Sequence, residues 1–194
     1  LGRKNGVVYP AAQKTETPPK PFELPEANRD MRRVFAYLVK QRHIDRGIVA
    51  NFARAKTIYE DTKYHNCVFV GRDECGIPRH AHKRSCNSVG KAFRQNIEGS
   101  NPRYSFHHMG TDGQLFVFEA PIVLLSYITI NLEDWQSHSY VACCGTSAIP
   151  VLSMLERMSA PKEVYLCLDN DQAGETGSLR MAEKIAEQFN IASD

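Results

Sequence analysis

A chain of 194 residues with 42% hydrophobic and 24% charged side chains reads as an ordinary soluble globular protein of one or two domains. No apolar run approaches the roughly 20 residues that cross a bilayer, and no signal peptide stands at the start, which opens abruptly at Leu1 as a fragment would. The net charge of +2 hides a division: residues 26–106 carry 16 Lys+Arg against 8 Asp+Glu, and residues 107–194 carry 4 against 12. That asymmetry predicts a basic half that touches a polyanion and an acidic half that holds cations.

Residues 1–25 carry Pro10, Pro18, Pro19, Pro21 and Pro25 among few apolar side chains, and read as an extended N-terminal arm or linker. Residues 26–106 form a smaller, basic, mixed α/β subdomain. Val34, Leu38 and Val39, beside Phe35 and Tyr37, give a helical pattern over 32–40. A break at Arg42-His43 follows, and Asp45 caps a second helix over 46–54. The pair is a packing unit or a helix-turn-helix reader of DNA. No extra basic residues gather on the second helix, which favours packing. A hairpin comes next, with arms at 66–71 and 77–83 and Glu74 to Gly76 in its turn. Alternation places Arg79, Ala81 and Lys83 on one face of the second arm. With Arg84, Lys91, Arg94 and Arg103 they make either a phosphate-tracking surface or a charged edge strand. Cys75, His80, His82 and Cys86 match no closed zinc module by their spacing. The six cysteines include no C-x-x-C pair, as in a reducing, cytoplasmic protein without structural disulfides.

Residues 107–194 alternate regularly. The apolar run 115–118 stops at Glu119, and the run 164–168 stops at Asp169-Asn170-Asp171. Unbroken runs of this kind are strands buried on both faces of a parallel sheet. Between them, a strand over 140–144 ends at Gly145-Thr146-Ser147. Helices follow each strand, over 122–130 behind Pro121, over 148–158, and over 176–189 with Leu179, Ala182, Ile185, Ala186 and Phe189 on one stripe. The order βαβαβα implies right-handed crossovers and gathers all three strand ends at one edge, where such sheets bind ligands. Three carboxylates crowded there call for a hard divalent cation, Mg²⁺ or Mn²⁺. The small residues of the middle turn let a phosphate approach the N–H groups of a helix start. A competing role for Asp171 is to cap the last helix.

The residues now carry a resemblance. A strand ending in Glu119, a strand ending in Gly145-Thr146, and Asp169-x-Asp171-x-Ala173-Gly174 together resemble the Toprim domain shared by bacterial primases, topoisomerases and some nucleases, most closely the primase type. Upstream, Tyr37-Leu38-Val39, Arg42-His43-Ile44-Asp45 and Ile48-Val49-x-x-Phe52 look like the opening of a primase polymerase core. Val68 to Arg72 and on to Arg103-Tyr104 look like its basic hairpin subdomain. Including Phe118-Glu119-Ala120-Pro121-Ile122, the whole resembles an uncharacterised domain fused to a Toprim-like domain, common on bacterial plasmids and conjugative elements. The resemblance spans roughly residue 26 to the end.

It implies an α/β fold with a Toprim-like parallel sheet flanked by helices, preceded by the smaller basic subdomain. It implies that Glu119, Asp169 and Asp171 are metal ligands and catalytic groups, and that Arg79, Lys83, Arg84, Arg94 and Arg103 bind nucleic acid. The activity implied is Mg²⁺-dependent phosphoryl transfer, foremost by a primase-like nucleotidyltransferase of a mobile element. A nuclease or nickase, or a non-catalytic nucleic-acid-binding module, are the alternatives. The implied partners are single-stranded DNA or RNA, nucleotides, and other replication or transfer proteins, with no membrane. Two departures stand out: Val123 occupies a position that is usually acidic, and the chain ends at Asp194, before a fourth strand.

Overall fold

Two four-stranded sheets organise the computed structural model, which describes residues 21–86 and 93–189. Most of the proline-rich arm, including Pro10, Pro18 and Pro19, lies outside the described residues, as does Lys91. The first sheet is antiparallel, in the order β1 (Ile58–Glu60), β2 (Cys67–Arg72), β3 (Pro78–Arg84), β4 (Arg94–Asn96). The second comprises β5 (His107–His108), β6 (Gln114–Phe118), β7 (Ser139–Ala142) and β8 (Glu163–Cys167), in the order β5-β7-β6-β8. Strands β6, β7 and β8 run parallel, as their unbroken apolar runs predict, and β5 adds an antiparallel edge.

Helices cover both faces of the second sheet. Leu115, Val117, Val141 and Val164 pack beneath α4 (Ile149–Arg157) and α5 (Gln172–Phe189) through Val151, Met154, Leu155, Met181 and Ile185. Phe116, Phe118, Tyr140 and Ala142 look the other way, onto α3 (Pro121–Ile130) and a core shared with the first sheet through Phe52, Phe69 and Phe106. The Phe52 and Phe106 rings stand 5.3 Å apart, and Phe69 meets Phe106 edge-on at 5.4 Å. Burial of this size is the main force joining the two sheets.

The helix pair is a packing unit. Val34, Tyr37 and Leu38 of the first helix and Ile48, Val49 and Phe52 of the second are buried in the shared core. The second helix, α2 (Arg46–Arg54), starts as its sequence dictates, with Asp45 Oδ1 accepting the N–H groups of Gly47 and Ile48 at 2.7 and 3.1 Å. The first differs from expectation. It begins as α1 (Arg32–Phe35) and continues π-wound over Ala36–Gln41, with Arg42 N–H reaching back to the Tyr37 carbonyl at 3.0 Å. Met31 at its N-cap gives no side-chain bond; Asp30 Oδ1 accepts the Arg32 N–H, and the buried Glu60 of β1 accepts the N–H groups of Arg33 and Val34.

Two sequence expectations need correcting. Strand β8 is not buried on both faces but forms the edge of its sheet, with Tyr165, Leu166 and Cys167 half-buried. The core-facing stripe of α5 is Gly174, Gly177, Met181 and Ile185; Leu179 is 68% exposed and Ala186 lies outside. Hydropathy pointed to Leu179, but the close approach of the two glycines to the sheet sets the helix's rotation.

Two histidines stay neutral inside this fold. Burial pushes His80 and His107 down to about 4. A depressed imidazole value means the folded chain resists protonation, so this stability is complete above about 6.5 and is lost as pH falls towards 4. Thermal unfolding midpoints should therefore fall between pH 6.5 and 4, and the fall should be shallower in His80→Asn. A flat profile across that window would contradict buried neutral imidazoles.

Candidate active site

Strand register brings the acidic motifs together. Phe118 of β6 pairs with Cys167 of β8 on one side and Ala142 of β7 on the other. The next residues out of all three strands therefore leave from the same carboxyl edge: Glu119, the 143–147 turn, and Leu168-Asp169. Gly145 N–H donates to the Glu119 carbonyl at 3.2 Å, which ties the middle turn to the first motif.

Glu119 carries the clearest electrostatic signature. Burial raises its carboxyl above the usual range, the Asp169 charge adds to this, and Asp171 contributes further. A hydrogen bond from the Asp169 backbone and the charge of Arg94 act the other way. Its Oε1 is buried without a hydrogen-bond partner. An unpartnered buried carboxylate oxygen beside two more carboxylates is costly unless a cation or proton reaches it. The donor set, all hard oxygen, fits Mg²⁺ or Mn²⁺ held by Glu119, Asp169 and Asp171. Among the described residues no three His, Cys, Asp or Glu side chains converge as a preformed metal cluster. The three carboxylates leave one sheet edge without closing around a single point.

The glycines explain the motif's spacing. A Cβ on Gly174 would lie 1.9 Å from the Asp169 carbonyl oxygen, so only glycine lets α5 start against the end of β8. Gly177, one turn on, would meet Thr146 at 3.2 Å, which packs α5 against the middle turn. Asp171 does cap α5, accepting the Gly174 N–H at 2.8 Å through Oδ1. Capping occupies one carboxylate oxygen and leaves the other for a ligand. Gly145, Thr146 and Ser147 are exposed at the same edge, and Gly145 has a φ of 147° that favours glycine. At the helix start, Ile149 N–H goes to Ser147 Oγ at 3.3 Å, and Pro150 has no N–H to offer. Val123 sits exposed in the first turn of α3.

The basic residues are spread apart. Arg94 lines a cleft of about 260 Å³ opposite Glu119, together with His82, Gln95 and Asn96 on its side and Ala120, Cys144 and Gly145 on the other. Arg79 is paired with Asp73 at 2.7 Å and Arg103 with Glu156. Arg84 donates to Tyr37 Oη, and the Lys83 ammonium stands over Phe93. The row Arg79, Ala81, Lys83 shares a face, as alternation predicts, but Ala81 packs with Val68 and Val70 beneath Phe22 and Leu24. The row that includes His82 faces the acidic edge instead. His82 and Asn96 are among the cleft residues that sequence reasoning missed. Their side chains hydrogen-bond at 2.7 Å. The available signal was the partner strand, since His82 pairs with the core residue Phe69.

Comparison with known proteins agrees with this geometry. Residues 116–193 match a family described as Toprim-like. The chain carries a Toprim-like domain. Ahead of this Toprim-like domain, residues 36–112 match a family described as a protein of unknown function, DUF3991. An uncharacterized protein of Bacillus anthracis, pXO2-78, is 27% identical over 164 residues, which cover 79% of this chain and 47% of that one. Among solved structures, the primase fragment of the bacteriophage T7 primase-helicase aligns with a TM-score of 0.59 and 15% identity, over 79% of this chain and 62% of that one. The Escherichia coli primase catalytic core aligns with a TM-score of 0.53 and 12% identity, over 79% and 60%. The chain thus has the primase catalytic-core fold, and spans about half the length of its curated relative.

Proposed function

We propose that this chain is the core of a primase-like nucleotidyltransferase of a bacterial mobile element, acting on nucleic acid with Mg²⁺ or Mn²⁺ in the cytoplasm. The observation that carries this reading is the placement of Glu119, beside Asp169 and Asp171 and across a cleft from Arg94, with one oxygen buried and unpartnered. A divalent ion bound there would neutralise charge on the transferring phosphate. The raised proton affinity of Glu119 suits it to take a proton from an attacking hydroxyl or to bind the ion. Arg94 would steer phosphate into the cleft. Arg84 pairs with Arg94 from the neighbouring strand β3, Lys83 lies on the other face of that strand, and Arg79 and Arg103 would have to leave their carboxylate partners to join in.

The substrates this implies are single-stranded DNA or RNA and nucleotides, with other replication or transfer proteins as partners. Solved structures of similar fold include the DnaG primase catalytic domain bound to ssDNA and the primase domains in a complex of T7 lagging-strand DNA polymerase with two gp4 subunits, an RNA/DNA hybrid and dTTP. A second reading, a non-catalytic nucleic-acid-binding module, is favoured by one observation, the apolar Val123 where the Toprim pattern is usually acidic.

Primer-synthesis and nicking assays on the full-length protein, with Mg²⁺ and Mn²⁺, separate these readings. The expected result is template-dependent nucleotide joining. Arg94→Glu should weaken single-strand binding at low salt and flatten its salt dependence by about one phosphate contact. Tight, salt-dependent binding without joining or cleavage would leave the module; salt-independent binding would overturn both.

A further inference from the structure

A second surface stands apart from the acidic edge and does not depend on the function proposed for it. A groove of about 420 Å³ runs along the first helix, lined by Met31, Phe35, Ala36 and Val39 and rimmed by Arg32, Lys40 and Arg46. Met31, Phe35 and Val39 are half-buried and rest on the shared core, so the floor is firmly supported. They are spaced four apart. Residues at that spacing drift one way around an α-helix and the opposite way where the winding is π. The switch to π winding at Ala36 therefore keeps Val39 in line with Met31 and Phe35, as one straight apolar row.

The rim is one-signed. Among the described residues no acidic side chain lines the groove. The nearby acids are committed, Asp30 to Arg32 at 2.8 Å and Asp45 to the start of α2. Arg46 holds its guanidinium 5.9 Å from the centre of the Phe35 ring. Lys40 has no carboxylate partner among the described residues.

We propose that this groove docks an acidic amphipathic segment of a partner protein, apolar anchors on the floor and carboxylates against Lys40 and Arg46. A straight apolar row with charged flanks is the complement of a helix that places apolar residues at i, i+4 and i+8 among acidic ones. The floor argues against nucleic acid as the occupant. Single-stranded binders stack bases on free aromatic faces, and the one aromatic ring here already has a guanidinium over it. Met31, Ala36 and Val39 instead offer adaptable aliphatic contact to an anchor side chain.

The test is fluorescence anisotropy with the full chain and a labelled helical peptide of about 18 residues, Leu on one stripe and Glu on the flanks. A scrambled peptide of the same composition is the control. The stripe peptide should bind saturably, at least about tenfold tighter than the scramble. Lys40→Glu with Arg46→Glu should remove that preference while circular dichroism stays unchanged. An oligo-dT strand should not displace the peptide. Equal binding of both peptides, no binding, or displacement by oligo-dT would each overturn the proposal.

Discussion

Glu119→Gln is expected to lower the proposed nucleic-acid phosphoryl transfer at least about a hundredfold while making the metal-free chain slightly more stable at neutral pH. The sign follows from the raised proton affinity of Glu119, caused first by burial and then by the charge of Asp169. The folded chain holds this proton more tightly than the unfolded chain does. Its stability is therefore greatest below the ordinary value of 4.5 and declines as pH rises through the raised value. A neutral amide keeps the shape and removes that loss. Solvent screening at this partly exposed group holds the gain within about 1 kcal/mol. Chemical denaturation with chelator at pH 5 and pH 7.5 reads it directly: the variant should gain at the higher pH only. A variant less stable than wild type at pH 7.5 would mean that Glu119 is held by structural contacts instead.

Gly174→Ala should be damaging in both respects. Its Cβ would sit 1.9 Å from the Asp169 carbonyl oxygen and 2.9 Å from that carbonyl carbon, both main-chain atoms that no side-chain rotation can move away. Helix α5 must back off the end of β8, taking Asp171 with it. Overpacking of this kind costs about 1–3 kcal/mol, and a shift of about 1 Å in a catalytic group can cost about a hundredfold in rate. Gly76→Asn is the matched control, since nothing lies within 4 Å of its Cβ and asparagine tolerates its φ of 75°. If Gly174→Ala keeps wild-type stability and activity, the glycine of the acidic motif does not position it.

Much of this was legible in the sequence because it depends on near neighbours. Asp45 lies within three residues of the N–H groups it caps, so the bounds of α2 could be read outright. The alternation of apolar strand runs with helices told the common direction of β6, β7 and β8, and with it the edge at which their carboxylates emerge. What stayed hidden depends on contacts between distant segments. Alternation told which residues of β3 share a face but not which face looks inward; packing of Phe69 and Val70 on opposite sides decides that. Part of the first helix's cap comes from Glu60, 26 residues beyond Val34. The orientation of α5 is decided by glycines, which carry no hydropathy signal.

Titration of the full chain with Mn²⁺, followed by water-proton relaxation, tests the central claim most directly. The open carboxylate set, with Val123 in place of a further acid, should bind one ion in about the high-micromolar to millimolar range, with several waters retained. Asp169→Asn combined with Asp171→Asn should abolish that binding and leave the fold intact. Unchanged binding in the double variant would contradict the account, moving the ion elsewhere and leaving Asp171 as a helix cap alone.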